Sequence, residues 1–106
     1  MEFNALLQRA MEIRQQISQF EVQSIGRTWT AEEIALGFVG DVGDLAKLVM
    51  AENGARIIPD AHKKLAHELA DCLWSIMVLS SLHDIDLEAA FTSTMNDLER
   101  YIQNKS

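Results

Sequence analysis

The sequence has few helix-interrupting residues and little basic charge. Only one proline and five glycines occur in 106 residues, which favours long helices over a sheet with many turns. Nine Lys and Arg stand against sixteen Asp and Glu, so the formal net charge is −7. Because a nucleic-acid backbone requires a basic surface, we expect no nucleic-acid partner. A phosphate ligand would need positive charge from another source, usually bound metal ions.

Cysteine and long apolar runs are also scarce. The single cysteine, Cys72, excludes an internal disulfide framework and is consistent with a reducing compartment. The N-terminal segment is charged and amphipathic from its start, unlike a signal peptide. No apolar run approaches the ~20 residues of a membrane span. We therefore expect a soluble, cytoplasmic protein without a membrane partner, folded as one domain over residues 1–106.

Apolar residues recur at spacings of three and four, which predicts helices. The first helix covers roughly the opening twenty residues, with an apolar stripe from Phe3 to Phe20 and with Arg14 on the solvent side. The second helix begins at Thr30, which forms a capping box with Glu33. The Asn-Gly dipeptide at 53–54 ends it, because both residues tolerate the left-handed C-cap conformation.

Two further helices follow a short connection. Pro59 is placed in the first turn of the third helix, where its missing N–H costs nothing, and this helix runs to Leu82. Its second half is almost wholly apolar, and Trp74 is assigned to the core or an interface. A helix that is apolar all round must be covered on all sides. One short chain cannot do this alone, so we expect a homodimer or homotetramer. Asp86 is expected to cap the fourth helix.

Two pairs of acidic residues carry the candidate chemistry. Asp41 and Asp44 lie in the second predicted helix, and Glu68 and Asp71 lie in the third. A spacing of three residues places both members of a pair on one helix face. The short connection makes the two helices antiparallel neighbours, so the pairs can face each other. Four converging carboxylates would repel one another, and Mg²⁺ relieves this repulsion because it prefers oxygen ligands.

A single acid pair on a helix is far more often a solvated surface than a site, but two features favour a site here. Asp41 has apolar residues at adjacent helical positions, and Lys47 is the one cation near the first pair. Lys47 would serve either as a phosphate ligand or in a surface ion pair. Gly40 and Gly43 each cost about 1 kcal/mol relative to alanine inside a helix. That cost predicts close approach of a packed helix or a ligand at both positions.

The segments Gly-Asp-Val-Gly-Asp-Leu (40–45) and Glu-Leu-Ala-Asp (68–71) together resemble the E-x-x-E…E-x-x-D signature of MazG-like nucleotide pyrophosphohydrolases. Within that family the sequence is most similar to the dCTP pyrophosphatase type, whose first motif reads G-E-V-G-E-L. The resemblance covers residues 29–102. It implies an all-α, four-helix MazG-like bundle protomer that forms a dimer or a dimer of dimers.

The resemblance also implies an activity and its metal ligands. The activity is Mg²⁺-dependent hydrolysis of a nucleoside triphosphate to the monophosphate and pyrophosphate, and Mn²⁺ is able to substitute for Mg²⁺. This activity would clear non-standard or excess nucleotides. The resemblance assigns metal binding and catalysis to Asp41, Asp44, Glu68 and Asp71. Both glutamates of the family's first motif are aspartates here, so the metal must lie closer to that helix.

Substrate contacts follow the family pattern less closely. Trp29 precedes the second helix, where the family often places an aromatic residue against the base, although a hydrophobic staple would use the same position. The phosphate-binding Lys and Asn of the family's last helix fall on Thr94 and Leu98. Their substitutes on this helix would be Asn96, Arg100 and Lys105.

Three hypotheses therefore remain open. The first is the enzyme. The second is a degenerate module that binds a nucleotide and a metal with little or no turnover. The departures from the family pattern favour this second hypothesis, whereas a complete family motif would not. The third is a helical oligomer without a ligand, against which the preserved acid quartet argues.

Overall fold

The computed structural model describes residues 2–105, and all regular structure within that range is helical. The helices are α1 (Phe3–Ile25), α2 (Ala31–Glu52), α3 (Ala61–Leu82) and α4 (Leu87–Lys105). The predicted all-α, four-helix fold is thus confirmed. Helices α2 and α3 form the most extensive contact, and α1 packs against α3. Helix α3 is therefore the central element.

The helix ends follow local sequence chemistry. The Thr30 hydroxyl accepts a hydrogen bond from the Glu33 N–H at 3.2 Å, and the Glu33 carboxylate accepts one from the Thr30 N–H at 2.9 Å. This confirms the capping box. Asp86 accepts from the Ala89 N–H at 3.0 Å, as expected for the N-cap of α4. Helix α1 ends at Ile25, a few residues beyond the opening twenty, because Gly26 is the first residue in the left-handed conformation (φ 81°).

The structure departs from two local expectations, the first of which is wrong. Pro59 does not lie in the first turn of α3, which begins at Ala61. Asp60 intervenes in the left-handed conformation (φ 55°), which aspartate tolerates and which interrupts the helical path. Gly40 and Gly43 are not needed for packing against another helix of the protomer, because a Cβ added at either would meet no described atom outside its own helical turn within 4 Å. Close approach of a ligand at these positions stays a prediction.

Arg14 is buried rather than solvent-facing, with only 8% of its surface exposed. Its Nη1 donates to Glu21 Oε1 at 3.2 Å, and its Nη2 donates to the carbonyl oxygen of Trp29 at 2.5 Å. A buried guanidinium is tolerated only when its charge is paired and hydrogen-bonded. Apolar periodicity placed this residue on the wrong side of α1, and Phe20, at the end of the predicted apolar stripe, is 70% exposed.

Helix α4 leaves its apolar stripe uncovered. None of its 19 described residues is buried. The exposed apolar residues of α4 are Phe91, Met95, Leu98, Tyr101 and Ile102. The radius of gyration of 16.9 Å exceeds the roughly 13 Å expected for a compact chain of this length. The protomer therefore presents apolar surface that its own fold does not cover.

Within residues 2–105, α3 alone has the length and apolar character to cross a membrane, with a mean hydropathy of 1.2. It also carries the ionisable residues Glu68 and Asp71. Both α1 and α2 pack against it, and it supplies most of the buried residues, among them Cys72 and Val78. Within the protomer, 28% of its apolar window is buried.

Candidate metal centre

Three of the four predicted acids converge where α2 faces α3. The carboxylate oxygens of Asp41, Asp44 and Glu68 lie within 4.8 Å of one another. Asp44 is exposed, whereas Asp41 and Glu68 are half-buried. Oxygen ligands of one Mg²⁺ or Ca²⁺ ion lie no more than about 4–5 Å apart. The three carboxylates are therefore close enough to share a single cation.

Glu68 contributes a buried carboxylate oxygen to this cluster. Its Oε1 is buried and has no hydrogen-bond partner among the described residues. Burial raises the pKa of the Glu68 carboxyl, and the negative charges of Asp41, Asp71 and Asp44 raise it further. An unsatisfied buried polar group costs roughly 1–3 kcal/mol. A bound cation would provide the missing partner and would also offset the repulsion.

Asp71 lies one turn further along α3 but outside the close cluster. Its Oδ2 is 3.1 Å from Nε2 of His67. The side chains of His67 and Asp71 are 75% and 50% exposed, respectively, so both are free to rearrange. The assignment of Asp71 as a fourth ligand stays a prediction, and the side chain would have to leave His67 to fulfil it.

The acid cluster borders two concave surfaces. The first, which we call the lysine groove, has a volume of about 570 Å³ and contains Asp44, Glu68 and Lys47 in its wall. The second, which we call the aromatic cavity, has a volume of about 290 Å³ and contains Asp41 in its wall. Because these three acids lie within 4.8 Å of one another, a ligand in either concavity would be adjacent to the same centre.

The aromatic cavity is walled by Trp29, which precedes α2, and by Trp74 of α3. The ring of Trp29 lies beside Gly37, since a Cβ there would be 3.9 Å from it. Trp74 donates its Nε1–H to the carbonyl oxygen of Ala10 at 3.1 Å, which ties α3 to α1. The expected core position of Trp74 is therefore compatible with a place in the cavity wall.

The backbone of Trp29 is held on both sides by one ion pair of α1. Its carbonyl oxygen accepts from Arg14, and its N–H donates to Glu21 Oε1 at 2.9 Å. Arg14 and Glu21 also line the cavity, as does the buried Ser75. No apolar pattern or motif in the sequence identifies these three residues as part of a site.

Asn96 and Arg100 lie elsewhere in the protomer. They line a third groove of about 530 Å³ between α4 and the start of α1, and Arg100 is paired with Asp97. Neither residue lines the concavities that border the acid cluster. Trp29 and Lys47 therefore line concavities that border the acid cluster, whereas Asn96 and Arg100 do not.

The fold and the centre define a class: all-α proteins in which facing helices present a carboxylate cluster that can hold a divalent cation. The family model described as the MazG nucleotide pyrophosphohydrolase domain matches residues 29–103. The chain therefore belongs to the MazG nucleotide pyrophosphohydrolase family. The matched range contains the aromatic cavity's Trp29 and the whole acid cluster. Comparisons with curated proteins and with solved structures found no match.

Proposed function

We propose that the protein is a Mg²⁺-dependent pyrophosphohydrolase that converts a ribo- or deoxyribonucleoside triphosphate and water to the monophosphate and diphosphate. It would act as a single cytoplasmic domain that removes non-standard or excess nucleotides. The cluster of Asp41, Asp44 and Glu68, in which Glu68 Oε1 is buried without a described partner, carries the proposal. Membership of the family supports the reaction class.

The chemistry of the cluster fits Mg²⁺. All its donors are carboxylate oxygens, which Mg²⁺ and Mn²⁺ prefer over nitrogen or sulfur ligands. Asp41, Asp44 and Glu68 would hold the ion, and Asp71 would join them after turning away from His67. The ion, when bound, neutralises charge on the triphosphate and lowers the pKa of a coordinated water.

The reaction transfers the α-phosphorus to water. A bond forms between the water oxygen and the α-phosphorus, and the bond from that phosphorus to the oxygen bridging to the β-phosphorus breaks. Diphosphate departs with the bridging oxygen. The proton lost by the water passes to a carboxylate of the cluster, which would act as the general base while the others hold the ion.

The aromatic cavity is the proposed site of the nucleobase. Its volume of about 290 Å³ lies just below the roughly 300–1,000 Å³ of small-molecule pockets, so it suits a ring system rather than a whole nucleotide. Stacking of a base on an aromatic side chain is worth about 1–3 kcal/mol. Trp29, 42% exposed, retains a surface for such stacking.

A second copy of the chain is the proposed cover for the apolar surface, giving a homodimer or homotetramer. Phe91 and Ile102 of α4 are 62% and 64% exposed, and Leu36 of α2 is 72% exposed. Large apolar surfaces of this kind mark interfaces. Helix α4 of a second copy would also bring Asn96 and Arg100 to a centre that they do not line within one protomer.

The experiment is incubation of the pure protein with a panel of standard and modified nucleoside triphosphates, with Mg²⁺ or with a chelator. Monophosphate and diphosphate should appear together and only with metal. Asp41→Asn should abolish turnover. Asp84→Asn removes a carboxylate outside the site and should leave turnover unchanged. Asparagine tolerates the left-handed backbone found at this position (φ 54°).

Other outcomes contradict the enzyme. Metal-dependent nucleotide binding in a calorimeter without turnover on any substrate would identify the degenerate binding module. Absence of both binding and turnover would leave a helical scaffold.

A further inference from the structure

The lysine groove holds an unusual concentration of unpaired positive charge. Its wall includes Lys47 of α2 and Lys63 and Lys64 of α3. None of the three has an ion-pair partner within residues 2–105. Arg9, Arg14, Arg27 and Arg100 form ion pairs with carboxylates, and Lys105 lies over the Tyr101 ring at 5.3 Å.

Two further basic residues, Arg56 and Lys105, lack an ion-pair partner within residues 2–105, and neither lines the groove. Three of the five basic residues without an ion-pair partner thus converge on one concavity of a chain with a net charge of −7. The same wall contains one additional acid, Asp60, besides the acids of the metal centre. Away from that centre the groove is therefore positive, and it suits an anion with several charges.

The groove continues directly from the acid cluster. Lys64 lies one helical turn from Glu68, about 6 Å along the axis of α3, and Lys47 lies about 4.5 Å along α2 from Asp44. On its other side the cluster borders the aromatic cavity through Asp41. An aromatic concavity, a cation-binding centre and a basic concavity therefore follow one another.

We propose that Lys47, Lys63 and Lys64 form the subsite for the β- and γ-phosphates and hold diphosphate as it leaves. This inference rests on the proposed function and gives the substrate a direction. The base lies in the aromatic cavity, the α-phosphate lies at the acid cluster, and the terminal phosphates lie in the groove. Lysine binds phosphate as a point charge, so the groove also supplies the basic residues that α4 lacks at the family positions.

The test is calorimetric titration of inorganic diphosphate with Mg²⁺ into the full chain. The double variant Lys63→Gln/Lys64→Gln should weaken binding by about tenfold or more, since it removes two charge-assisted contacts. The double variant Lys63→Arg/Lys64→Arg preserves the charge and should bind within a few-fold of wild type. Arg56→Gln removes an unpaired cation on the neighbouring connection and should leave binding unchanged.

Two results would overturn the proposal. One is wild-type diphosphate affinity in the double glutamine variant. The other is an equal loss in Arg56→Gln, which would indicate a bulk charge effect. Because the readout is diphosphate binding rather than turnover, it stays informative for a protein that hydrolyses no substrate: retained, lysine-dependent binding supports the groove even if the proposed enzyme activity fails.

Discussion

Replacing Glu68 by glutamine should stabilise the metal-free protein. Two unit charges 4.8 Å apart repel each other by about 0.9 kcal/mol in water and by about 3.5 kcal/mol at an effective dielectric constant of about 20. Glu68 is half-buried and Asp44 is exposed, so the lower value is the better guide for each pair. The substitution removes repulsion with two aspartates, and we expect a gain of about 1–2 kcal/mol in the free energy of unfolding.

Denaturant unfolding of wild type and Glu68→Gln, with chelator and with Mg²⁺, measures this gain. Each kcal/mol should raise the melting temperature by roughly 4–8 °C. Mg²⁺ at ten times its Kd should stabilise wild type by about 1.4 kcal/mol, whereas the variant should lose most of this response. Glu99→Gln, on the exposed surface of α4, is the matched control and should show neither effect.

The same variant has a pH signature. The pKa of Glu68 is raised in the folded state above its ordinary 4.5, so between these two values the folded protein binds more protons than the unfolded chain. The stability of metal-free wild type should therefore fall as the pH rises through that window, and Glu68→Gln should lack this slope. A less stable variant in chelator, or one that keeps the full Mg²⁺ response, would refute the reasoning.

Three further predictions follow from other contacts. The hydrogen bond from Arg27 lowers the pKa of Glu33 to about 2. The stabilising effect of the Glu33 carboxylate should therefore disappear as the pH falls from 4.5 towards 2. Glu33→Gln should flatten this part of an acid titration monitored by circular dichroism. Arg14→Met leaves the half-buried Glu21 carboxylate without its cation, with the Trp29 N–H as its remaining partner, and should cost about 3–5 kcal/mol in denaturant unfolding. Adding Glu21→Leu should recover part of this loss, and no recovery would contradict a charge effect. Phe91→Ser should shift the mass measured by light scattering towards the monomer, and an unchanged oligomer would remove α4 from the proposed interface.

The predictable parts of this fold are those encoded by neighbouring residues. Thr30 and Glu33 are three positions apart and satisfy each other's backbone groups, so the start of α2 is visible in the sequence. The spacing of Asp41 and Asp44, with Glu68 on the next helix, placed three acids together without knowledge of the packing. Such features need only helical geometry and one short connection.

The features that the sequence did not reveal depend on tertiary partners. Arg14 is buried because Glu21 and the Trp29 carbonyl satisfy it, and no periodicity encodes that arrangement. Asp71 follows the acid motif, but its contact with His67 depends on a side-chain rotamer. The lysine groove combines residues from two helices, and its importance emerges only when Arg9, Arg14, Arg27 and Arg100 are found to form ion pairs.

The most direct test of the central claim is hydrolysis of a nucleoside triphosphate in water enriched in heavy oxygen, with Mg²⁺, followed by mass spectrometry of both products. Attack of water on the α-phosphorus at the acid cluster places the label in the nucleoside monophosphate and leaves diphosphate unlabelled, and Asp41→Asn should eliminate both products. Label in diphosphate or orthophosphate, or undiminished turnover by Asp41→Asn, would contradict the account.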